Sequence, residues 1–257
     1  MGRFFDVEDG GPLRLELRSV DGRDFTVLRQ IGYDSERHVE SFTVPADRRT
    51  FSTDLASVPA VLAWLVPRSG VFLPAAVLHD GLTEPGQYIG PQIDRPEADR
   101  LFREAMVDLG TGIVRAWLMW SAVTATTMWL VGTLRDRVVL VATTLAVVVL
   151  GLLATLDLFD VWDVLPWMGQ RSTAAELAWG AVFAVLVPAL LSVSWGRAWR
   201  AALIGGVALA LLLHVTIVVT VLWAAYLALE RLVSGPAHRR GRAGRQHARL
   251  SREDRRS

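Results

Sequence analysis

Three segments decide how the soluble part of this chain folds: F-S-T-D-L-A-S-V-P at 51–59, L-P-A-A-V-L-H-D-G-L-T at 73–83, and I-D-R-P-E-A-D-R-L-F at 93–102. They place a histidine and several acidic residues beside apolar residues, where ionisable groups are uncommon. The residues before them have a strand-like pattern, and long apolar runs follow them. The chain is therefore predicted to have a soluble head around these segments and a membrane anchor after it.

Two of these segments are predicted to form a helical hairpin at 73–83 and 94–109. Pro74 and Pro96 lie near the two helix starts, where a missing N–H is tolerated. The second segment has apolar residues at helical spacing and stops at Gly110. Helices joined by a loop of about ten residues tend to lie next to each other in antiparallel directions.

The residues before the hairpin are predicted to form a small antiparallel sheet. L-R-L-E-L-R at 13–18 alternates apolar and charged residues, and a turn at 21–22 is followed by F-T-V-L-R-Q-I. A third strand is expected at 39–44. The predicted fold is an α+β head at 1–110, a small sheet plus a helical hairpin, followed by an all-α transmembrane region of three or four helices.

The charge distribution supports this division. Residues 1–110 contain eighteen Asp and Glu against twelve Arg, whereas residues 111–257 contain eight acids against fifteen Arg. The chain has no Cys, which excludes disulfides, thiolate nucleophiles and cysteine-bound zinc. It also has no Lys, which excludes Schiff-base and P-loop chemistry. The first twenty residues have no apolar signal-peptide region, so the head is expected to stay in the cytoplasm.

The transmembrane region is predicted at 138–229. Its three clear spans are residues 138–156, 174–194 and 201–229. Residues 113–132 are ambiguous, because they fit either a first transmembrane helix or a helix that closes the head and extends it to 132. Four spans would keep the head and the Arg-rich end of the chain on the cytoplasmic side of a multi-pass cell-membrane protein, as the positive-inside rule favours.

The last residues, 236–257, are predicted to form a disordered basic tail. They contain eight Arg and two acids. Such a cluster next to a membrane span attracts anionic lipid headgroups, so membrane lipids are the expected partners. No nucleic-acid binding is expected, because no aromatic residues alternate with the arginines for base stacking.

His79 and Asp99 are the candidate catalytic residues. If the hairpin forms, they lie at the same height on facing helices, and a carboxylate facing a buried imidazole fixes its tautomer and raises its basicity. Asp80 and Asp54 are candidate metal ligands, for calcium or zinc. Other interpretations remain open: the His–Asp pair can be a structural hydrogen bond, and Asp54 can cap a helix predicted at 58–66.

The motifs carry a resemblance to a known family. F-x-T-D-x-A-S-V-P, A-A-V-L-H-D-x-L and R-x-E-A-D-R-L-F-x-E-A-M occur in this order, and together they resemble the bacterial and phage family known as domain of unknown function 1353, over about residues 39–132. The resemblance implies a domain type without an assigned activity. The family pattern favours Tyr where this chain has Thr83.

A weaker, local similarity points to chemistry. A-A-x-x-H-D followed by A-D-R-x-F is similar to the His–Asp helix pair of the phospholipase-A-two superfamily. That similarity implies His79 as general base to a water molecule, Asp80 as metal ligand and Asp99 as the residue that orients His79. The Gly-rich calcium loop of that superfamily has no clear counterpart, since V-P-R-S-G at 66–70 contains a single Gly.

Two functions are therefore expected from the sequence. In the first, the head carries a metal-dependent hydrolase site that acts on lipid or another ester at the membrane. In the alternative, the protein is a non-catalytic, membrane-anchored binding or structural module, phage-derived or envelope-associated, in which the same His and Asp residues only stabilise the fold.

Overall fold

A computed structural model describes residues 2–20, 24–54, 70–169 and 171–253, and it describes side chains as far as 233. The helix predicted at 58–66 and most of the segment 66–70 lie outside the described residues. The chain divides into two compact units, Met1–Leu213 and His214–Ser257. The first unit contains the head and the apolar helices up to the middle of the last one, and the second unit contains the rest of that helix.

The described part of the head contains six short strands in two antiparallel sheets. The strands are β1 (Arg3–Asp6), β2 (Leu17–Ser19), β3 (Phe25–Val27), β4 (Ile31–Asp34), β5 (Phe42–Val44) and β6 (Ser52–Thr53). One sheet has the order β1-β4-β5 and the other has the order β2-β3-β6. The antiparallel prediction is confirmed, but two sheets replace the single predicted one. R-F-F-D in β1 lacks period-two alternation, so only its pairing with β4 identifies it as a strand.

The helical hairpin forms where the sequence predicts it. Helix α1 covers Leu73–Thr83 and helix α2 covers Arg95–Asp108. Asp94 caps α2, because its side chain accepts the backbone N–H of Glu97 at 2.9 Å. Helix α1 packs against β5 at Gly81, where a Cβ would lie 2.3 Å from Cγ1 of Val44. This close approach fixes α1, and the residues it carries, against the first sheet.

Helix α3 covers Ile113–Val131, the ambiguous segment, and it packs against α2. Its Ala116 and Met119 belong to the same buried cluster as the aromatic and aliphatic side chains of the sheets, α1 and α2. Helix α3 is not among the helices of the described residues that are long and apolar enough to cross a membrane. Its packing makes it a continuation of the head.

The apolar region contains helices α4 (Leu134–Leu158), α5 (Thr173–Ser192) and α6 (Trp199–Glu253), and a 3₁₀ segment at Val193–Ala198 connects α5 to α6. Among the described residues, two helical runs could cross a membrane, Leu134–Leu158 and Thr173–Val233, with hydropathies of 2.6 and 2.5. Only 6% and 11% of their most apolar windows are buried, so neither is a core helix of a water-soluble fold. They indicate membrane association.

The prediction of three or four spans is therefore wrong, since two candidate spans are found. The predicted spans 174–194 and 201–229 fall in one apolar run, Thr173–Val233, in which a short 3₁₀ segment connects the two helices and the backbone leaves helical geometry at Gly196, with φ 57° and ψ −118°. Helix α6 also continues to Glu253, into most of the tail predicted to be disordered, and the Ala and Arg residues of that tail have high helix propensity.

Within the first unit, a small residue allows α3 and α6 to approach closely. A Cβ on Gly205 would lie 2.5 Å from Oγ of Ser121. The Ser121 hydroxyl donates a hydrogen bond to the carbonyl oxygen of Ala201 at 2.9 Å. Small residues and hydroxyl bonds of this kind are typical of packing between apolar helices. The start of α6 is therefore held next to the helix that closes the head.

Candidate functional site

His79 and Asp99 meet in the buried contact between α1 and α2. Nε2 of His79 lies 2.8 Å from Oδ1 of Asp99. The exposed fraction is 9% for His79 and 1% for Asp99. The ring of Phe102, one turn after Asp99, packs on the imidazole with 4.9 Å between ring centres. The structure thus brings the two predicted catalytic residues together, with the geometry that orients an imidazole.

Asp99 uses one carboxylate oxygen for this hydrogen bond. Its second oxygen, Oδ2, is buried and has no hydrogen-bond partner among the described residues. A buried carboxylate oxygen without a donor is unfavourable, and its presence is explained by a role in catalysis or by a bound water molecule or ion. Oδ2 of Asp99 is therefore a buried hydrogen-bond acceptor that no donor of the described residues uses.

Asp80 is the second acidic residue of the site and follows His79 directly. The hydroxyl of Thr53, in β6, donates a hydrogen bond to Oδ2 of Asp80 at 2.5 Å. Burial raises the pKa of the Asp80 carboxyl, and the nearby charges of Asp54 and Glu84 add to this effect. The Thr53 hydrogen bond and the charge of His79 act in the opposite direction without reversing it.

Asp54 lies at the edge of this cluster. It is exposed, and its charge reaches Asp80, as the effect on the Asp80 pKa shows. Its predicted role as a helix cap stays a prediction, because the helix at 58–66 lies outside the described residues.

The predicted metal site is not assembled by the described residues. They contain no group of three or more His, Asp or Glu residues that could hold a metal ion. His79 and Asp80 point to different partners, Asp99 and Thr53. Calcium needs six to eight oxygen ligands and zinc usually needs three or four protein ligands, so this set fits neither ion.

Two residues of the site were not singled out from the sequence. Thr53 and Phe102 appear in the quoted motifs, but only as neighbours of acidic residues. Thr53 directly precedes Asp54, and a hydroxyl next to an acidic motif could have been considered as a hydrogen-bond donor to a second acid. Phe102 follows Asp99 by one helical turn, which places both side chains on the same face of α2.

Comparison with known proteins gives one match for this region. Residues 25–123 match the family described as Protein of unknown function (DUF1353). The predicted resemblance is therefore confirmed, with boundaries shifted from 39–132 towards the N-terminus. The DUF1353 segment begins at β3 and ends within α3, so it includes all four predicted site residues.

No curated protein and no solved structure matches the chain. The similarity to the phospholipase-A-two superfamily is not shown by these comparisons. The DUF1353 match assigns no activity, so any function has to be argued from the geometry of His79, Asp80 and Asp99.

Proposed function

We propose that the protein is a membrane-associated hydrolase whose general base is His79 in the DUF1353 segment. The observation that carries this proposal is the buried hydrogen bond between His79 and Asp99, 2.8 Å long. A carboxylate that accepts from one imidazole nitrogen leaves the other nitrogen as the proton acceptor. Asp99 is thus a positioning residue, and His79 would remove a proton from water.

Asp80 gives the proposal a second support. Burial raises its pKa, so its ionised form is less favourable in the folded head than in water. Residues that combine burial, a perturbed pKa and a charged neighbour are candidates for functional sites. The Thr53 hydroxyl donates a hydrogen bond to Asp80. If Asp80 had only a structural role, an uncharged residue could fill this position equally well.

The reaction we propose is ester hydrolysis. Water attacks the ester carbonyl carbon while Nδ1 of His79 takes one of its protons, and the carbonyl oxygen becomes an oxyanion. The oxyanion then reforms the carbonyl, the C–O bond to the alcohol breaks, and the imidazolium returns the proton to the leaving alcohol. The described residues do not form a metal site, so no step is assigned to a metal ion.

The apolar helices determine the substrates to test first. Two helical runs that can cross a membrane follow the head directly, and a head anchored in this way lies next to lipid esters. We include in the proposal a head on the cytoplasmic side of a cell membrane, with the Arg-rich C-terminal end on the same side. Phospholipids and short-chain carboxylic esters are therefore the first substrate classes.

The test uses full-length protein in lipid nanodiscs and a panel of phospholipids and fluorogenic esters. His79→Asn is expected to abolish hydrolysis while the melting temperature changes little. The matched control is His38→Asn, because His38 also pairs with an acid, Glu97, at 3.0 Å, but is more exposed. Hydrolysis that is absent from the wild-type protein, or equal in both variants, contradicts the proposal.

A specific observation favours a second candidate, a non-catalytic module. The bonds of His79 and Asp80 link α1 to α2 and to β6, so these residues also connect separate parts of the head. In this case His79→Asn and Asp99→Asn mainly lower the melting temperature. Melting with and without calcium or zinc adds a further comparison, since a shift with either ion would restore the metal-dependent version of the hydrolase.

A further inference from the structure

Three arginines lie close to one glutamate of α2, Glu104. Oε1 of Glu104 lies 3.6 Å from Nε of Arg37, 3.8 Å from Nε of Arg100 and 3.6 Å from Nη2 of Arg103. Each distance is longer than a hydrogen bond, so the three guanidinium groups share one loosely placed carboxylate. Arg100 also pairs with Glu97. Positive charge therefore exceeds negative charge in this cluster.

Arg103 is the centre of the cluster. Its guanidinium carbon lies 4.1 Å from the ring centre of Trp117 and 5.5 Å from that of Trp120, both in α3. Its side chain is 17% exposed, and its ion pair with Glu104 is 3.6 Å long. A guanidinium has five N–H donors, and one that is largely buried normally uses several of them. Arg103 is thus oriented by two indole rings and is only loosely paired with Glu104.

The cluster lies where the head joins the apolar helices. Arg200, in the first turn of α6, is close enough to act electrostatically on Arg103, and burial lowers the pKa of Arg103. Arg200 also lies 5.4 Å from the ring of Trp199. Tryptophan and arginine side chains are typical of the boundary between a membrane and water. The composition of the cluster therefore suits contact with lipid headgroups.

We propose that Arg37, Arg100, Arg103 and Arg200 form a binding site for the phosphate of an anionic phospholipid. A phosphodiester offers oxygen acceptors for planar guanidinium donors, which Glu104 alone does not satisfy. The indole rings of Trp117 and Trp120 would lie beside the glycerol backbone of the lipid. This site is separate from the basic tail and does not depend on the proposed hydrolase activity of His79.

The experiment measures the melting temperature of full-length protein in a zwitterionic detergent during titration with short-chain phosphatidylglycerol. Phosphatidylcholine and inorganic phosphate are titrated in parallel. We expect phosphatidylglycerol to raise the melting temperature of the wild-type protein, with little effect of the other two. Removing one arginine is expected to raise the half-saturating lipid concentration roughly fivefold, the change given by about 1 kcal/mol for each arginine at a membrane surface.

Arg103→Gln and Arg37→Gln are the test variants, and Arg14→Gln is the matched control. Arg14 is exposed, and its ion pair is with Asp9, at 3.3 Å. Arg37 is also exposed, so its variant gives an answer even if Arg103→Gln does not fold. Weaker binding in both test variants, or in Arg37→Gln alone if the other is unfolded, supports the site. Equal binding by Arg37→Gln and Arg14→Gln overturns it, and an equal response to inorganic phosphate overturns the assignment to a lipid.

Discussion

Leu101 in α2 and Phe72 before α1 are completely buried, whereas Leu145 in α4 is 56% exposed and Leu190 in α5 is 66% exposed. The head thus removes its large apolar side chains from water by packing sheets, α1, α2 and the start of α3 around one core. Helices α4 and α5 instead direct similar side chains outwards. The head therefore covers its own apolar side chains, whereas the exposed apolar surface of α4 and α5 indicates membrane association.

The largest expected effect comes from replacing leucine by alanine in the head, and the same replacement in the apolar helices is expected to have little effect. Leu101→Ala removes a fully buried side chain and is expected to destabilise the head by about 2–5 kcal/mol. Leu190→Ala removes an exposed one and should change stability by less than about 0.5 kcal/mol. Chemical unfolding of full-length protein in detergent measures both. Equal effects would mean that α5 has a protein core of its own.

A charge on the outer surface of α4 tests membrane insertion. Leu145→Asp is expected to cost about 3 kcal/mol if α4 lies in a bilayer, because a carboxylate is poorly solvated there. Val39→Asp is the control, because Val39 is fully exposed on the head. The measurement is the fraction of protein that resists extraction from membranes at alkaline pH. A normal membrane fraction for Leu145→Asp would contradict insertion of α4.

Close packing of α1 on β5 is tested at Gly81. Gly81→Ala would place a Cβ 2.3 Å from Val44, so we expect the free energy of unfolding to fall by about 1–3 kcal/mol. Gly112→Ala is the matched control, since a Cβ there meets no atom of the described residues within 4 Å. Thermal melting separates the two variants. An unchanged melting temperature for Gly81→Ala would show that α1 can move away from the sheet.

The smallest expected effects come from two acidic residues of the head, Asp6 and Asp80, whose contributions to stability change with pH in opposite directions. Arg29 bonds to Asp6 at 2.7 Å and lowers the pKa of Asp6 from 3.8 to about 2, so this stabilisation is present above pH 4 and is lost as the pH falls towards 2. The raised pKa of Asp80 has the opposite sign, because the head loses stability as the pH rises above 3.8 through that pKa.

Because the two pKa shifts are in opposite directions, replacing each acid by asparagine is expected to change the melting temperature at pH 7 in opposite directions. Asp80→Asn should raise the melting temperature by a few degrees, since it removes a carboxyl whose ionisation is opposed by burial and keeps an acceptor for Thr53. Asp6→Asn should lower the melting temperature at pH 7 and have a smaller effect at pH 2, where Asp6 of the wild-type protein is already partly protonated. Melting curves between pH 2 and 8 measure both. A lower melting temperature for Asp80→Asn at pH 7 would show that its charge stabilises the head.

The sequence predicted the hairpin well because its signals are local. Pro96 and Gly110 mark the two ends of α2, and the apolar spacing between them identifies the buried face that carries Asp99. The meeting of His79 with Asp99 followed from these boundaries and the rise of a helix, and the bond of 2.8 Å is in agreement with it. The strands were predicted less well, because β1, β2 and β6 are only two to four residues long and depend on their partners.

The features that the sequence did not determine depend on contacts between residues that are far apart in the chain. Residues 113–131 have the length of a membrane span, and only their packing through Ala116 and Met119 assigns them to the head. The number of candidate spans depended on whether the apolar segments before and after Gly196 count as one run or two, and apolar composition does not determine this. The contact between Thr53 and Asp80 joins residues 27 positions apart and has no periodic signal in the sequence.

The central claim is that Asp99 positions His79 for catalysis and does more than hold α1 to α2. The most direct measurement is the kinetics of ester hydrolysis by Asp99→Asn in nanodiscs, together with its melting temperature. We expect kcat to fall by about 100-fold or more, with KM nearly unchanged, because general-base catalysis is lost and substrate binding is kept. An unchanged kcat accompanied by a lower melting temperature would contradict the account and leave the pair with a structural role alone.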